Sequence, residues 1–157
     1  MQIYSFSPFG YEGALVTVEV DLRRGIPAVD LVGLADGAVK ESRDRMHAAI
    51  RNSGFEFPSE RVLISLSPAD LKKEGAGFDL PIALGVLTAE FSEDDFIDES
   101  VLIMGELELS GKIRSVKGVH AAVATAVSCG IMKVIVPVQN VEEAKEIDGV
   151  KVYGADS

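Results

Sequence analysis

Sulfur and imidazole are scarce in this chain. It has one cysteine, Cys129, and two histidines, His47 and His120. A lone cysteine excludes an internal disulfide and a cysteine-based metal cage, and its context, apolar and helical, fits a reduced thiol. Neither histidine has a second His or Cys at ligand spacing, so each reads as a surface or half-buried side chain on a helix and no metal site is predicted. Positive charge is also short. Against 25 Asp and Glu there are 15 Lys and Arg, a net charge of −10 and a pI near 4.6. Gripping nucleic acid through the overall field requires the opposite balance, so any DNA contact must be local. Long apolar runs are missing too. The start, Met1 to Pro8, has no basic region or continuous apolar stretch of a leader, and the longest apolar segments elsewhere are broken by Lys133 or too short to span a bilayer. These absences predict a soluble, cytoplasmic protein without a membrane partner.

What is present is a core. With 47% hydrophobic residues over 157 positions, one ordinary domain is affordable, and no repeat, low-complexity tract or linker divides it. We therefore expect one domain over 1–157. Ala14 to Leu22 is rich in β-branched residues and alternates toward its end, which predicts a strand, with Ala28 to Leu34 as its hairpin or meander partner. Asp36 suits the N-cap of a helix over Ala38 to Ile50, with Val39, Met46, Ala49 and Ile50 on one face and Gly54 as the stop. Arg61 to Leu66 predicts a further strand, and Ser67 to Phe78 a polar loop. A buried helix follows over Leu80 to Leu87, with Asp79 as its cap and Pro81 in its first turn. The acidic run Glu93 to Glu99 reads as a solvated loop.

From Val101 onward the pattern alternates. Strands are predicted at Leu102 to Met104 and through Leu107, Leu109 and Ile113. A helix is expected from Gly118 to Ser128, a strand at Lys133 to Pro137, a short acidic helix at Val141 to Lys145 and a strand at Val150 to Tyr153. The whole is an α+β, two-layer arrangement, with a mainly β first half joined to an α/β second half.

The glycine-rich segments do not make nucleotide loops. Between Gly105 and Gly111-Lys112 the spacing is one residue too long, and Ile113 stands where a Ser or Thr would hold Mg²⁺. Gly75-Ala76-Gly77 has Leu80 where the third glycine of a dinucleotide fingerprint belongs. The acidic residues between Glu90 and Glu99 lack the ligand alternation and loop glycine of a calcium site. This chain by itself is thus expected to bind no cofactor.

Lys73-Glu74-Gly75 before an apolar helix, and Gly105-Glu106-Leu107 with Leu109, Gly111 and Ile113, resemble the segments around the serine and lysine of Lon-type proteases. Gly118-Val119, Ala124 to Gly130, Val134 to Pro137, Asn140 and Glu143 continue the likeness through the second half. A Ser-Lys dyad works when desolvation lets lysine lose its charge near neutral pH and take the hydroxyl proton. Aligned with Lon, Gly77 occupies the serine position and Ala122 the lysine position. Neither can perform the step, so these two are degenerate positions and the catalytic set is empty. A relocated dyad drawn from Ser110, Ser115, Lys112 or Lys117 is the rival reading.

Four further blocks run end to end: Gly33 to Arg45, Asn52 to Pro58, Ser67 to Gly75 and Gly77 to Gly85. Together they resemble the magnesium-chelatase-like proteins of the YifB and ComM family, whose N-terminal domain is a degenerate Lon-like fold of the ribosomal S-five domain-two-like type. The resemblance implies a non-catalytic N-terminal domain that assists hexamer assembly and DNA or partner engagement. It also implies a C-terminal AAA+ ATPase module, absent here, that supplies ATP and Mg binding, and a motor similar to the branch-migration helicases of natural transformation. Its partners would be that module, neighbouring protomers and DNA. A third reading is a regulator related to metal-chelatase subunits. Lys72, Lys73, Arg43, Arg45, Lys112 and Arg114 are the candidate contacts to DNA or a subunit, because fixed cations on an acidic domain make a local attractive patch.

Overall fold

The computed structural model describes residues 2–9, 12–33, 36–67, 77–90 and 101–157. The acidic run, residues 34–35, and Lys72 and Lys73 lie outside them. Their centre is a seven-stranded sheet. It is built from β1 (Gln2–Phe9), β2 (Glu12–Arg23), β3 (Ala28–Val32), β4 (Arg61–Ser67), β5 (Val101–Ile103), β8 (Lys133–Pro137) and β9 (Lys151–Ala155). Between β5 and β8 the chain makes a small hairpin, β6 (Glu106–Leu107) with β7 (Ile113–Arg114). The sheet order is β3-β4-β2-β1-β5-β8-β9. Only β2 runs against its neighbours, so the sheet is mostly parallel and strands from both halves of the sequence share it.

Two of the expected pairings change. β3 pairs with β4 in parallel rather than with β2. The helix α1 (Asp36–Asn52) joins β3 to β4, and such a crossover returns the chain to a parallel neighbour, whereas a hairpin would return it antiparallel. The place beside β2 goes to β1, an N-terminal strand that alternation does not reveal. β1 is central and covered on both faces: Ile3, Ser5, Phe6 and Ser7 are all buried, so polar and apolar side chains are interleaved without a period of two. The third change is local. Strand pairing stops at Leu107, and Leu109 lies exposed in the hairpin turn, where Gly111 adopts φ +95°.

One face of the sheet carries α1 and α2 (Asp79–Glu90), packed around Ile3, Val18, Val20, Ile64, Leu66 and Ile82. Met46, Ala49 and Ile50 form the buried stripe of α1 as the 3.6-residue period predicts; the Asp36 and Val39 side chains are outside the described set. α2 is apolar nearly all round and correspondingly buried nearly all round. The opposite face carries α3 (Val119–Ser128) and the short α4 (Val141–Ala144), which enclose Phe6, Leu102, Met104, Val134 and Val136. Cys129 stands exposed at the C-terminus of α3 rather than within an apolar helix face. His47 is half-buried and stacks on Phe57 at 4.2 Å, and His120 is exposed.

Gly85 of α2 lies tight against β2, where an added Cβ would stand 2.7 Å from Val20 Cγ2. Gly85→Val should therefore overpack the α2–β2 contact and cost about 2 kcal/mol, read as a lowered thermal midpoint with an unchanged far-ultraviolet spectrum. A midpoint equal to that of the parent would show that this approach is not tight.

Candidate functional site

The corner where α1, α2 and the β6–β7 hairpin meet is organised by one carboxylate. Asp79, 1% exposed, begins α2. Arg45 of α1 donates to it twice, Nε to Oδ2 at 2.7 Å and Nη2 to Oδ1 at 3.0 Å. Ser42 Oγ donates to Oδ1 at 3.2 Å and the Leu107 amide to Oδ2 at 3.2 Å. A buried carboxylate is tolerable when its lone pairs are filled in this way and a guanidinium cancels its charge. Asp79 thus serves as a hub between three elements, a long-range role that its position at a helix start does not reveal. The hydrogen bond to Asp79, followed by the fields of Asp79, Glu106 and Glu41, raises the Arg45 guanidinium above its ordinary value despite partial burial.

Beside the hub, the backbone closes a clasp. The Gly105 amide donates to the Gly77 carbonyl and the Leu80 amide donates to the Gly105 carbonyl, both at 3.0 Å. The second bond satisfies an amide at the start of α2 that has no partner within the helix. Gly77 faces Val116, whose Cγ1 would lie 3.8 Å from an added Cβ. Val116 is pinned by the buried Asn140: Oδ1 accepts from its amide and Nδ2 donates to its carbonyl, each at 3.0 Å. Ala122 is fully buried in α3, packed with Phe6, Leu102, Met104 and Val119. Where a Ser-Lys pair would require a hydroxyl and an amine, the chain has backbone and a methyl group.

No described lysine is buried. Lys40, Lys112, Lys117, Lys145 and Lys151 are exposed and Lys133 is half-buried. Of the buried serines, Ser5 donates to the Ile103 carbonyl at 2.7 Å and Ser42 to Asp79. Desolvation, the means of making lysine a base, calls for a buried amine, and none of the described lysines is one. A half-open apolar cleft of about 420 Å³ does lie nearby, between the end of α1, α2 and the hairpin. Ile50, Phe55, Leu80, Leu84 and Leu107 line it, and neither Gly77 nor Ala122 does.

Among the described residues, the candidate cations are largely set against carboxylates rather than gathered in a free basic patch. Arg45 is committed to Asp79. Arg114 bonds Glu108 at 2.7 Å across the hairpin, and Lys112 lies exposed beside the same carboxylate. That bond holds the Glu108 carboxyl below the usual carboxylate range and Arg114 above its own. Arg43 is half-buried on α1. Among the described residues, Arg45, Lys112 and Arg114 are thus brought together but interleaved with Asp79, Glu41, Glu106 and Glu108, which leaves the ladder slightly acidic. Sequence reasoning missed these carboxylates because each sits near a cation in space and only partly in sequence.

The fold and this corner fit one family. Residues 18–140 match the family model for subunit ChlI of Mg-chelatase. The chain is 39% identical over 99% of its length to competence protein ComM of Haemophilus influenzae, and 40% identical over 94% to the uncharacterized protein YifB of Escherichia coli. It spans about three tenths of the length of these curated relatives. Over 72% of the chain it is 27% identical to Lon protease 2 of Bacillus subtilis, in line with the Lon-like fold. The chain belongs to the magnesium-chelatase-like family of YifB and ComM, and corresponds to its N-terminal region.

Gly77 and Ala122, the positions expected to be degenerate, differ in what they tolerate. Gly77→Ser should leave stability within about 0.5 kcal/mol, because its Cβ meets nothing closer than van der Waals contact. Ala122→Lys buries an unpaired amine and should cost several kcal/mol, measured by denaturant unfolding. Equal effects at the two positions would contradict this geometry.

Proposed function

We propose that this chain is the non-catalytic N-terminal domain of a YifB/ComM-type AAA+ ATPase, a cytoplasmic pseudo-protease module for assembly and partner engagement. The observation that carries the reading is the pairing of Gly77 with Ala122 in a Lon-like scaffold whose described lysines are all at least partly exposed. Acyl transfer needs a nucleophile and a poised base, and these positions offer neither. ATP and Mg would be bound by the AAA+ module of the longer protein, with neighbouring protomers and DNA as its partners. The relative named as a competence protein supports a role of the whole motor in handling DNA during uptake. Because Arg45 and Arg114 are already engaged by carboxylates, contacts from this domain would be chiefly to protein, and DNA contact would fall to Arg43, Lys72, Lys73 and Lys112.

The test has two arms. Serine-directed fluorophosphonates should fail to label the chain, and an unfolded protein substrate should remain intact; a labelled serine together with cleavage would overturn the proposal and favour the relocated dyad. Charge reversal at Lys72 and Lys73 should lower any salt-dependent DNA affinity of the chain without altering its melting temperature. Unchanged affinity would remove the DNA role of these two lysines.

A further inference from the structure

The half-open cleft between the end of α1, α2 and the hairpin is set apart by its lack of charge. Asp, Glu, Lys and Arg make up 25% of the chain, yet none of the described residues that line the cleft has an ionisable side chain. Ile50, Leu84, Leu87, Leu107 and Ile113 form apolar walls. Phe55, also in the lining, is 44% exposed, and Leu109, next to Ser110 of the lining, is 57% exposed. Two exposed apolar side chains thus border one concave, uncharged space, which is the pattern of a ligand site rather than of scattered surface residues.

The walls are held in place from two sides. Asn52 Nδ2 donates to the Leu109 carbonyl at 2.6 Å, and a Cβ added at Gly111 would overlap Ser53 Oγ, so the hairpin turn lies directly on the end of α1. Asp79 ties the same three elements together from the interior. The main chain around the cleft is already spent. The Ser53 and Phe55 amides donate to the Ala49 and Ile50 carbonyls, the Glu108 amide to Lys112, the Gly111 amide to Glu108 and the Ile113 amide to Asp156. A peptide added as a strand requires free main-chain partners, and these groups offer it none. Ser110 is engaged as well, accepting from the Lys112 amide at 3.3 Å and bonding the Glu108 carboxylate. Two rim groups have no partner among the described residues, the Ser53 hydroxyl and Oδ1 of Asn52. The first can donate and accept, and the second accepts.

We propose that this cleft binds a neutral small molecule, an aryl or alkyl alcohol whose apolar body fills the walls while its hydroxyl meets Ser53 and Asn52. A cavity of about 150 Å³ accommodates benzene, so one of about 420 Å³ takes a body of on the order of 10 to 15 non-hydrogen atoms. A carboxylate of the same shape is disfavoured, because it would lose hydration with no cation in the described lining to replace it. The bound molecule would bridge α1, α2 and the hairpin, so occupancy stabilises the fold by mass action. This site goes beyond the assembly role proposed above and does not rest on it.

Titration of the isotope-labelled 157-residue chain with 2-naphthol near neutral pH, followed by amide chemical shifts, provides the test. Saturable shifts should gather at residues 50–55, 80–87 and 107–113, with a Kd on the order of 1 mM or below. The melting temperature should rise with ligand concentration. 2-Naphthoate, the same rings carrying a carboxylate, should bind about tenfold more weakly or worse. Leu84→Trp, which fills the cleft, should weaken 2-naphthol binding about tenfold or more. Ser53→Ala, a change at an exposed position that leaves the fold intact, should weaken it about two- to tenfold. Shifts that never saturate or that scatter over the surface, equal binding of the naphthoate, or an unchanged Kd in Ser53→Ala or in a folded Leu84→Trp would each overturn the proposal. Movement of the same amides on dilution of the free chain would assign the cleft to a second copy and overturn it too. A serine labelled by fluorophosphonate would leave every one of these results standing.

Discussion

The Asp79 carboxylate, out of water and held by Arg45, Ser42 and the Leu107 amide, is the constraint on which the rest of the corner depends. A charge buried to this degree costs several kcal/mol unless it is paired, so the four donors must arrive together. They come from α1 and from the first strand of the hairpin, while the carboxylate itself begins α2. Fixing Asp79 therefore fixes the angle at which two helices leave the sheet and where the hairpin folds down. The Gly77–Gly105–Leu80 clasp lies within a few residues of it and inherits that geometry.

Backbone and packing, rather than reactive side chains, occupy Gly77 and Ala122. The scaffold still brings a turn before α2 close to Val116 and the strand-to-helix segment leading into α3, the neighbourhood where a Lon-type enzyme would act. The side chains now perform packing. Ala122 closes an apolar layer with Phe6 and Met104, and Gly77 contributes a carbonyl to a backbone bond. A lysine at the fully buried position of Ala122 would need either a partner or a shifted pKa, whereas the space at Gly77 would admit a serine.

Much of this was legible in the residues. The periodic stripe of α1, the all-apolar α2 and the strands β4, β5, β8 and β9 follow from patterns of 3.6 and 2 or from unbroken apolar runs. Pairing was not. β3 lies beside β4 because α1 carries the chain across, and a local pattern holds no information on which neighbour a strand will meet. β1 was hidden because a central strand buries both faces, leaving serines beside Ile3 and Phe6 with no alternation to detect. Asp79 illustrates the same limit at a site. An aspartate at a helix start reads as a cap, while its actual partners lie 28 to 37 residues away in sequence.

A double-mutant cycle on Arg45 and Asp79, using Arg45→Ala, Asp79→Ala and the double variant in equilibrium denaturant unfolding, addresses the central claim most directly. If the pair organises the corner, each single change should be strongly destabilising and the coupling energy should be about 2 to 3 kcal/mol. A coupling near zero, with additive losses, would mean that α1, α2 and the hairpin are held in place without the ion pair.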